Sequence, residues 1–145
     1  MEWMLLPFKR YFDFEGRSRR MEYWMYQVFT MAVYFVCIGI ALAGFPWDQM
    51  SQTSANYDPQ AMPGMATWIG FGLAFVWYLV TFIPDIAVTV RRFHDQDLSG
   101  WMYLLRFIPY LGPLIVMVFM FIDGQRESNR FGHDPKGKGD VDVFT

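Results

Sequence analysis

The chain has 145 residues, a length that suits a single domain. Its formal net charge is −2, so it lacks the basic surplus of a nucleic-acid-binding protein, and we expect no nucleic-acid partner. The single cysteine, Cys37, excludes an intrachain disulfide. Hydrophobic residues make up 54% of the chain, so the spacing of the charged residues shows where long apolar stretches lie.

Three long stretches of the chain carry no charged residue. They cover positions 23–47, 59–84 and 107–122, and they hold 25, 26 and 16 residues. About 20 apolar residues in a helix cross the hydrocarbon core of a bilayer, whereas the helices of a small soluble protein need a polar face. The sequence therefore predicts an all-α, polytopic membrane protein with three transmembrane helices.

Residues 1–20 precede the first of these stretches and mix aromatic with basic side chains. This composition is typical of an amphipathic segment that lies on the membrane surface, and we predict an interfacial segment here. Gly16 interrupts this segment, and Ser18 is a candidate N-cap for the helix that follows.

The first predicted span covers residues 21–45, and a polar loop over 46–64 without Lys or Arg follows it. The second predicted span begins at residue 65 and continues as a cytoplasmic extension to residue 93. Aromatic residues stand near the start of the first span, where an interfacial belt is expected: Tyr23, Trp24 and Tyr26.

Small residues recur every four positions in the second span, at Ala66, Gly70 and Ala74. This spacing places them on one helix face, where another helix can approach closely, and Gly39 and Ala43 could form the matching face. The alternative is that Gly and Ala are simply common in membrane helices.

The third predicted span covers residues 101–122 and should be bent, because Pro109, Gly112 and Pro113 interrupt it. A polar tail over 123–145 follows, and its end is expected to be partly disordered.

Basic residues near membrane ends tend to stay in the cytoplasm, and this rule indicates a cytoplasmic N-terminus, an external first loop and a cytoplasmic second loop. The tail is ambiguous, because three crossings would place it outside although it carries four basic residues. A re-entrant third segment, which would return the tail to the cytoplasm, stays open as an alternative. The expected location is a bacterial inner membrane, with a multi-pass chain.

Three blocks of the sequence resemble the motifs of the family called domain of unknown function 805. They are FEGRSRRMEYW at 14–24, RRFHDQDLSGW at 91–101 and NRFGHDP at 129–135. The family patterns are G-R-x-x-R-x-E-Y-W, R-R-L-H-D-x-x-x-S-G-W and N-R-[YF]-G-x-D-P, and this chain has Phe93 where Leu is usual. The resemblance implies a multispanning inner-membrane protein and supplies no reaction, ligand or partner.

Charged residues at the predicted cytoplasmic boundary form the main candidate site. A short turn should bring Asp85 and Arg106 to similar depth, where an ion pair would remove two isolated charges from a medium of low dielectric constant. Such a pair could mark a functional site, or it could simply clamp two helices together. The candidate polar cluster consists of these residues: Asp85, Arg91, Arg92, His94, Asp95 and Arg106.

Further polar residues of this region have simpler interpretations. His94, Asp95 and Asp97, with His133 and Asp134, could hold a metal, but their spacing fits no zinc pattern and we expect none. Asp95 and Ser99 are instead expected to cap the turn and the helix that follows.

Three arginines before the first span, Arg17, Arg19 and Arg20, are expected to set the orientation and to contact anionic lipid head groups. Glu22 could pair with one of them, or with Arg91 or Arg92.

Three functions are compatible with this pattern. The first is a non-enzymatic scaffold or accessory subunit that binds a membrane-protein partner or forms a homo-oligomer. The second is a small transporter or lipid-handling protein with a polar site at Asp85, Arg106 and His94. The third is a membrane enzyme that uses His94 and Asp95, although no catalytic motif is visible and no cofactor is expected.

Overall fold

The computed structural model describes residues 2–50 and 62–137. Five α-helices and one 3₁₀ helix occur in these ranges: α1 (Glu2–Lys9), α2 (Arg20–Ala43), α3 (Trp47–Met50), α4 (Met65–His94), the 3₁₀ helix (Gly100–Phe107) and α5 (Leu111–Phe121). The end of the polar tail, where we expected partial disorder, and the middle of the first loop lie outside the described residues.

Two of these helices are long and apolar enough to cross a membrane. Helix α2 has 24 residues and α4 has 30, and each contains a window with a mean hydropathy of 1.9. At about 1.5 Å per residue they are about 36 and 45 Å long, which exceeds a hydrocarbon core of about 30 Å. Because lipid offers no hydrogen-bond partners, an unbroken helix satisfies the backbone polar groups of such a stretch.

The third apolar segment forms two short helices that meet at Ile108–Tyr110. Tyr110 has a φ of 62°, which turns the chain between them. Gly112 lies against the carbonyl of Leu105 so closely that a Cβ atom there would overlap the carbonyl oxygen. The predicted bend is present, and α5, with 11 residues and a length of about 16 Å, is too short to cross a membrane by itself.

The described chain divides into two compact units, Met1–Phe29 with Phe82–Thr145, and Thr30–Thr81. The second unit, Thr30–Thr81, contains parts of α2 and α4 that pack through small residues. Gly70 is buried against Ala41, whose backbone and side chain a Cβ at position 70 would overlap. Thr67 Oγ1 donates a hydrogen bond of 3.0 Å to the Ala41 carbonyl.

The predicted small-residue face of α4 is therefore confirmed at Ala66 and Gly70, stays a prediction at Ala74, and is corrected for α2. A Cβ added at Gly44 would lie 2.5 Å from the Thr67 backbone nitrogen, whereas Gly39 has nothing within 4 Å. Ala41 of α2 is buried and meets Gly70, whereas Gly39 and Ala43 are exposed.

The first unit, Met1–Phe29 with Phe82–Thr145, contains the larger hydrophobic core. Tyr26 and Phe93 are fully buried in this core, and Tyr23 is 8% exposed. Trp24 packs on Phe121 with ring centroids 4.5 Å apart. The predicted interfacial aromatic belt is thus wrong for Tyr23 and Tyr26, because protein side chains cover both rings.

Replacing Gly70 with Ala should destabilise the protein by about 1–3 kcal/mol, because the new methyl group forces α2 and α4 apart at Ala41. Gly72→Ala is the matched control on the same helix, since a Cβ at position 72 meets nothing within 4 Å. Thermal unfolding of both purified variants in detergent measures the difference, and equal melting temperatures would contradict the packing described.

Candidate functional site

Five charged side chains are buried together in the first unit, and we call them the buried charge network: Arg17, Glu22, Arg91, Arg92 and Asp95. None of these side chains is more than 5% exposed. Unpaired charges are costly to bury, so each of them needs a charged or hydrogen-bonding partner.

Asp95 connects two of the arginines. Arg17 Nε donates a hydrogen bond of 2.9 Å to Asp95 Oδ1, and Arg92 Nη1 forms an ion pair with Asp95 Oδ2. A side chain at position 124 would overlap the Asp95 carboxylate, which explains the glycine there. Burial raises the pKa of Asp95 above its ordinary value of 3.8, while Arg92 and Arg17 act in the opposite direction. The expected capping role of Asp95 is therefore wrong, because its carboxylate binds guanidinium groups.

Arg91 holds the segment that precedes α2. Its Nη2 lies 3.0 Å from Glu22 Oε1, its Nε donates to Ser18 Oγ at 2.9 Å, and its Nη1 donates to the Asp13 carbonyl at 2.7 Å. The pairing of Glu22 with Arg91 was one of the alternatives left open by the sequence. Ser18 is not the N-cap of α2, because the helix begins at Arg20 and the Ser18 hydroxyl accepts from Arg91.

The tail is held mainly through its backbone carbonyl groups. Arg17 donates to the carbonyls of Glu127, at 2.7 Å, and of Gln125. Arg92 donates to the Ile122 carbonyl, and Arg19 donates to the Pro135 carbonyl. The N-terminal segment, the end of α4 and the tail therefore form one connected polar region of the first unit, which we call the polar platform: residues 10–22, 91–97 and 122–135.

These contacts also explain how three arginines can be buried with two carboxylates. Carbonyl oxygens accept further hydrogen bonds from all three guanidinium groups, so the backbone solvates the extra positive charge. No sequence pattern identifies this role of the tail, because the backbone of every residue carries the same carbonyl group. The presence of the three motif blocks in one sequence was the available indication that these segments interact.

Arg17, Arg19 and Arg20 were expected to contact lipid head groups. The Arg17 side chain is 1% exposed, so it has no surface left for a lipid. Arg20 is 41% exposed and pairs with Asp123 at 2.5 Å, while the Arg19 guanidinium lies 5.3 Å from the Trp3 ring centroid. The expectation is wrong for Arg17 and stays a prediction for the other two.

The Asp85–Arg106 ion pair anticipated from the sequence is present. Arg106 Nη1 lies 2.8 Å from Asp85 Oδ2, and the two side chains are 42% and 20% exposed. Gln27 Nε2 donates a hydrogen bond of 2.7 Å to Asp85 Oδ1. This pair connects α4 with the 3₁₀ helix, and it is more exposed than the buried charge network.

His94 does not share a contact with this pair. Nine residues of α4 separate it from Asp85, a rise of about 13 Å. The His94 ring stacks on Phe131 with centroids 3.8 Å apart, and Asn129 Nδ2 donates to the His94 carbonyl at 2.8 Å. The candidate site proposed for Asp85, Arg106 and His94 therefore separates into two places.

The remaining sequence motifs form turns. Asn129 and Gly132 exchange backbone hydrogen bonds of 3.1 and 3.0 Å, and Ser99 is the N-cap of the 3₁₀ helix, as expected for a capping residue. Within residues 2–50 and 62–137, no group of three or more His, Cys, Asp or Glu residues is arranged to hold a metal ion.

Replacing Asp95 with Asn should destabilise the protein by about 3–5 kcal/mol, because it leaves Arg17 and Arg92 buried without a counter-charge. Asp97→Asn is the matched control: Asp97 pairs with Arg130 at the surface, where a loss of less than about 1 kcal/mol is expected. Asn also tolerates the φ of 57° at position 97.

Chemical or thermal unfolding followed by tryptophan fluorescence measures both variants. A loss for Asp97→Asn as large as that for Asp95→Asn would show that burial does not distinguish the two carboxylates.

Comparisons with known proteins agree with this membrane architecture. A family model described as "Protein of unknown function (DUF805)" matches residues 11–133. The chain is 35% identical over 136 residues to the inner membrane protein YhaI of Escherichia coli strain K12. The aligned region covers 94% of this chain and 97% of the relative. It is equally similar to the inner membrane protein YhaH of that strain, with 94% and 98% covered. No solved structure matches the chain. The chain therefore belongs to the DUF805 family, whose function is unknown and which includes these inner membrane proteins.

Proposed function

We propose that this protein is a non-enzymatic scaffold or accessory subunit of the bacterial inner membrane, which presents the polar platform at the cytoplasmic surface. The observation that carries this proposal is that the charged residues of the motifs are used for contacts inside the protein. Arg17, Glu22, Arg91, Arg92 and Asp95 bind one another and backbone carbonyls inside the protein.

A catalytic group must reach its substrate, and it acts through atoms that stand within hydrogen-bond distance of the reacting groups. The buried charge network has no such access, since its side chains are at most 5% exposed. Asp95, which the enzyme hypothesis requires, is paired with two guanidinium groups. The chemistry of these residues thus favours an architectural role for the motifs.

The proposed topology has two complete crossings, α2 and α4, with the 3₁₀ helix and α5 as a re-entrant segment. Support comes from the contacts of the tail: Gln125 and Glu127 bind Arg17, and Asn129 binds the end of α4. A tail on the far side of a third crossing could not reach these partners through a bilayer core of about 30 Å.

The distribution of basic residues supports the same topology. None of the 12 Lys and Arg residues of the chain lies in loop 46–64, which connects the two crossings. With a re-entrant segment, the basic residues of the N-terminal segment, the second loop and the tail all face the cytoplasm, as the positive-inside rule requires. The exposed side of Arg20, together with Arg19, then faces the anionic head groups of the inner leaflet.

Labelling of introduced cysteines with a membrane-impermeant maleimide tests this topology. In a Cys37→Ser background, Met62→Cys should react in intact spheroplasts, because Met62 is 82% exposed and belongs to the external loop. Ser128→Cys and Phe12→Cys should react only after the membrane is permeabilised. Labelling of Ser128→Cys together with Met62→Cys in intact spheroplasts would instead demand a third crossing.

Native mass spectrometry after purification in a mild detergent tests the scaffold role. We expect a stoichiometric partner or a homo-oligomer, because a scaffold acts through assembly. The Asp97→Asn variant, which leaves the buried charge network intact, is the control and should keep the same assembly. A protein that is monomeric and without partner at its native expression level contradicts the proposal.

A further inference from the structure

An apolar groove with a volume of about 590 Å³ lies in the first unit, between the end of α4 and the 3₁₀ helix. Neither the Asp85–Arg106 pair nor the buried charge network lines it. The residues that line it include Phe14 of the N-terminal segment, Ile86, Val90 and His94 of α4, Trp101 and Leu104 of the 3₁₀ helix, and Phe131 of the tail.

A glycine in the wall of the groove allows the 3₁₀ helix to pack closely on α4. A Cβ atom at Gly100 would lie 2.8 Å from Val90 Cγ1 and 3.2 Å from His94 Nε2. Both distances are shorter than normal van der Waals contacts, so a side chain at this position would overlap α4. The same geometry directs His94 Nε2 toward Gly100, in the wall of the groove.

The two ends of the groove differ in polarity. His94 and Phe131 form one end, and the Arg130 guanidinium lies 4.8 Å from the Phe131 ring centroid. The Arg130 side chain is 60% exposed; its Nε pairs with Asp97 Oδ1, and its Nη2 donates to the Asp97 carbonyl at 2.9 Å. Ile86 marks the other end, eight residues earlier on α4, at a distance of about 12 Å along the helix.

The lip of the groove continues the lipid-facing surface of the protein. Trp101 is 79% exposed and Leu104 is 52% exposed on the 3₁₀ helix. In a membrane protein, apolar side chains with this exposure contact acyl chains, and a lipid can enter sideways from the leaflet. The groove thus has an apolar end and an exposed apolar lip, and the Arg130 guanidinium of the polar platform lies beside Phe131 at its other end.

We propose that this groove binds one acyl chain of an anionic phospholipid, with the phosphate held at Arg130 beside Phe131. An amphiphile in the cytoplasmic leaflet has the same order of polarity as the groove, since its charged head group lies at the surface and its chain points inward. An exposed guanidinium group is well suited to a phosphate oxygen. This site is independent of the scaffold role, because it needs no protein partner.

Photo-crosslinking in phosphatidylglycerol nanodiscs tests the acyl-chain part of the proposal. The lipid carries a diazirine in one acyl chain, and the modified residues are mapped by peptide mass spectrometry. Cross-links should be several-fold more frequent in the groove segments within residues 86–104 than in the exposed apolar stretch 71–80 of α4. Cross-linking in proportion to exposure along both stretches overturns the proposal.

Leu104→Trp should fill the groove and reduce the cross-links within residues 86–104 several-fold. Leu79→Trp is the matched control, since Leu79 is 53% exposed, close to the 52% of Leu104, and lies outside the groove. Thermal unfolding of both variants verifies that they are folded. Unchanged cross-linking in folded Leu104→Trp overturns the proposal.

Lipid competition tests the head-group part. In nanodiscs that contain equal amounts of phosphatidylglycerol and phosphatidylcholine probes, the wild-type groove should capture phosphatidylglycerol preferentially. Arg130→Gln should remove this preference without removing the cross-links, whereas Arg126→Gln, at another exposed arginine of the same tail, should keep it. Equal capture of the two lipids by the wild-type protein overturns the assignment of an anionic head group.

Discussion

The rest of the first unit depends on the neutralisation of three buried guanidinium groups. Arg17, Arg91 and Arg92 are shielded from solvent, and two carboxylates, Glu22 and Asp95, supply their counter-charges. A charge in a medium of low dielectric constant is tolerated only when fixed partners replace the water around it. The chain segments that provide these partners must therefore meet in one place, and this requirement positions the N-terminal segment, the end of α4 and the tail.

The tail follows from this requirement, because two carboxylates cannot satisfy three guanidinium groups. Backbone carbonyls of Ile122, Gln125 and Glu127 accept further hydrogen bonds from Arg17 and Arg92, which gives an irregular tail segment a defined path. The three sequence blocks that resemble one family thus have a common physical role, although more than 100 positions separate the first block from the third. Their residues support one another, so the loss of one partner affects all three segments.

The polar groups outside this network have more solvent or lipid contact. The Asp85–Arg106 pair is partly exposed, and His94 stacks on Phe131 beside an apolar groove. The interior charges stabilise the platform, whereas these outer groups are positioned to meet molecules from the bilayer. A rigid polar platform with a lipid-facing groove is consistent with a protein that organises other membrane components.

The sequence by itself determined the helical membrane architecture, because the stretches without charge leave a helix as the way to satisfy the backbone in lipid. It also anticipated the Asp85–Arg106 pair, since a short connection holds the two residues near one another, and the close approach at Gly70. Only the tertiary structure decided that Tyr23 and Tyr26 are core residues, that Arg17 is buried, and that Asp95 binds two arginines. These contacts join residues that are distant in sequence, and several of them end on backbone carbonyls, which every residue carries and no sequence pattern distinguishes.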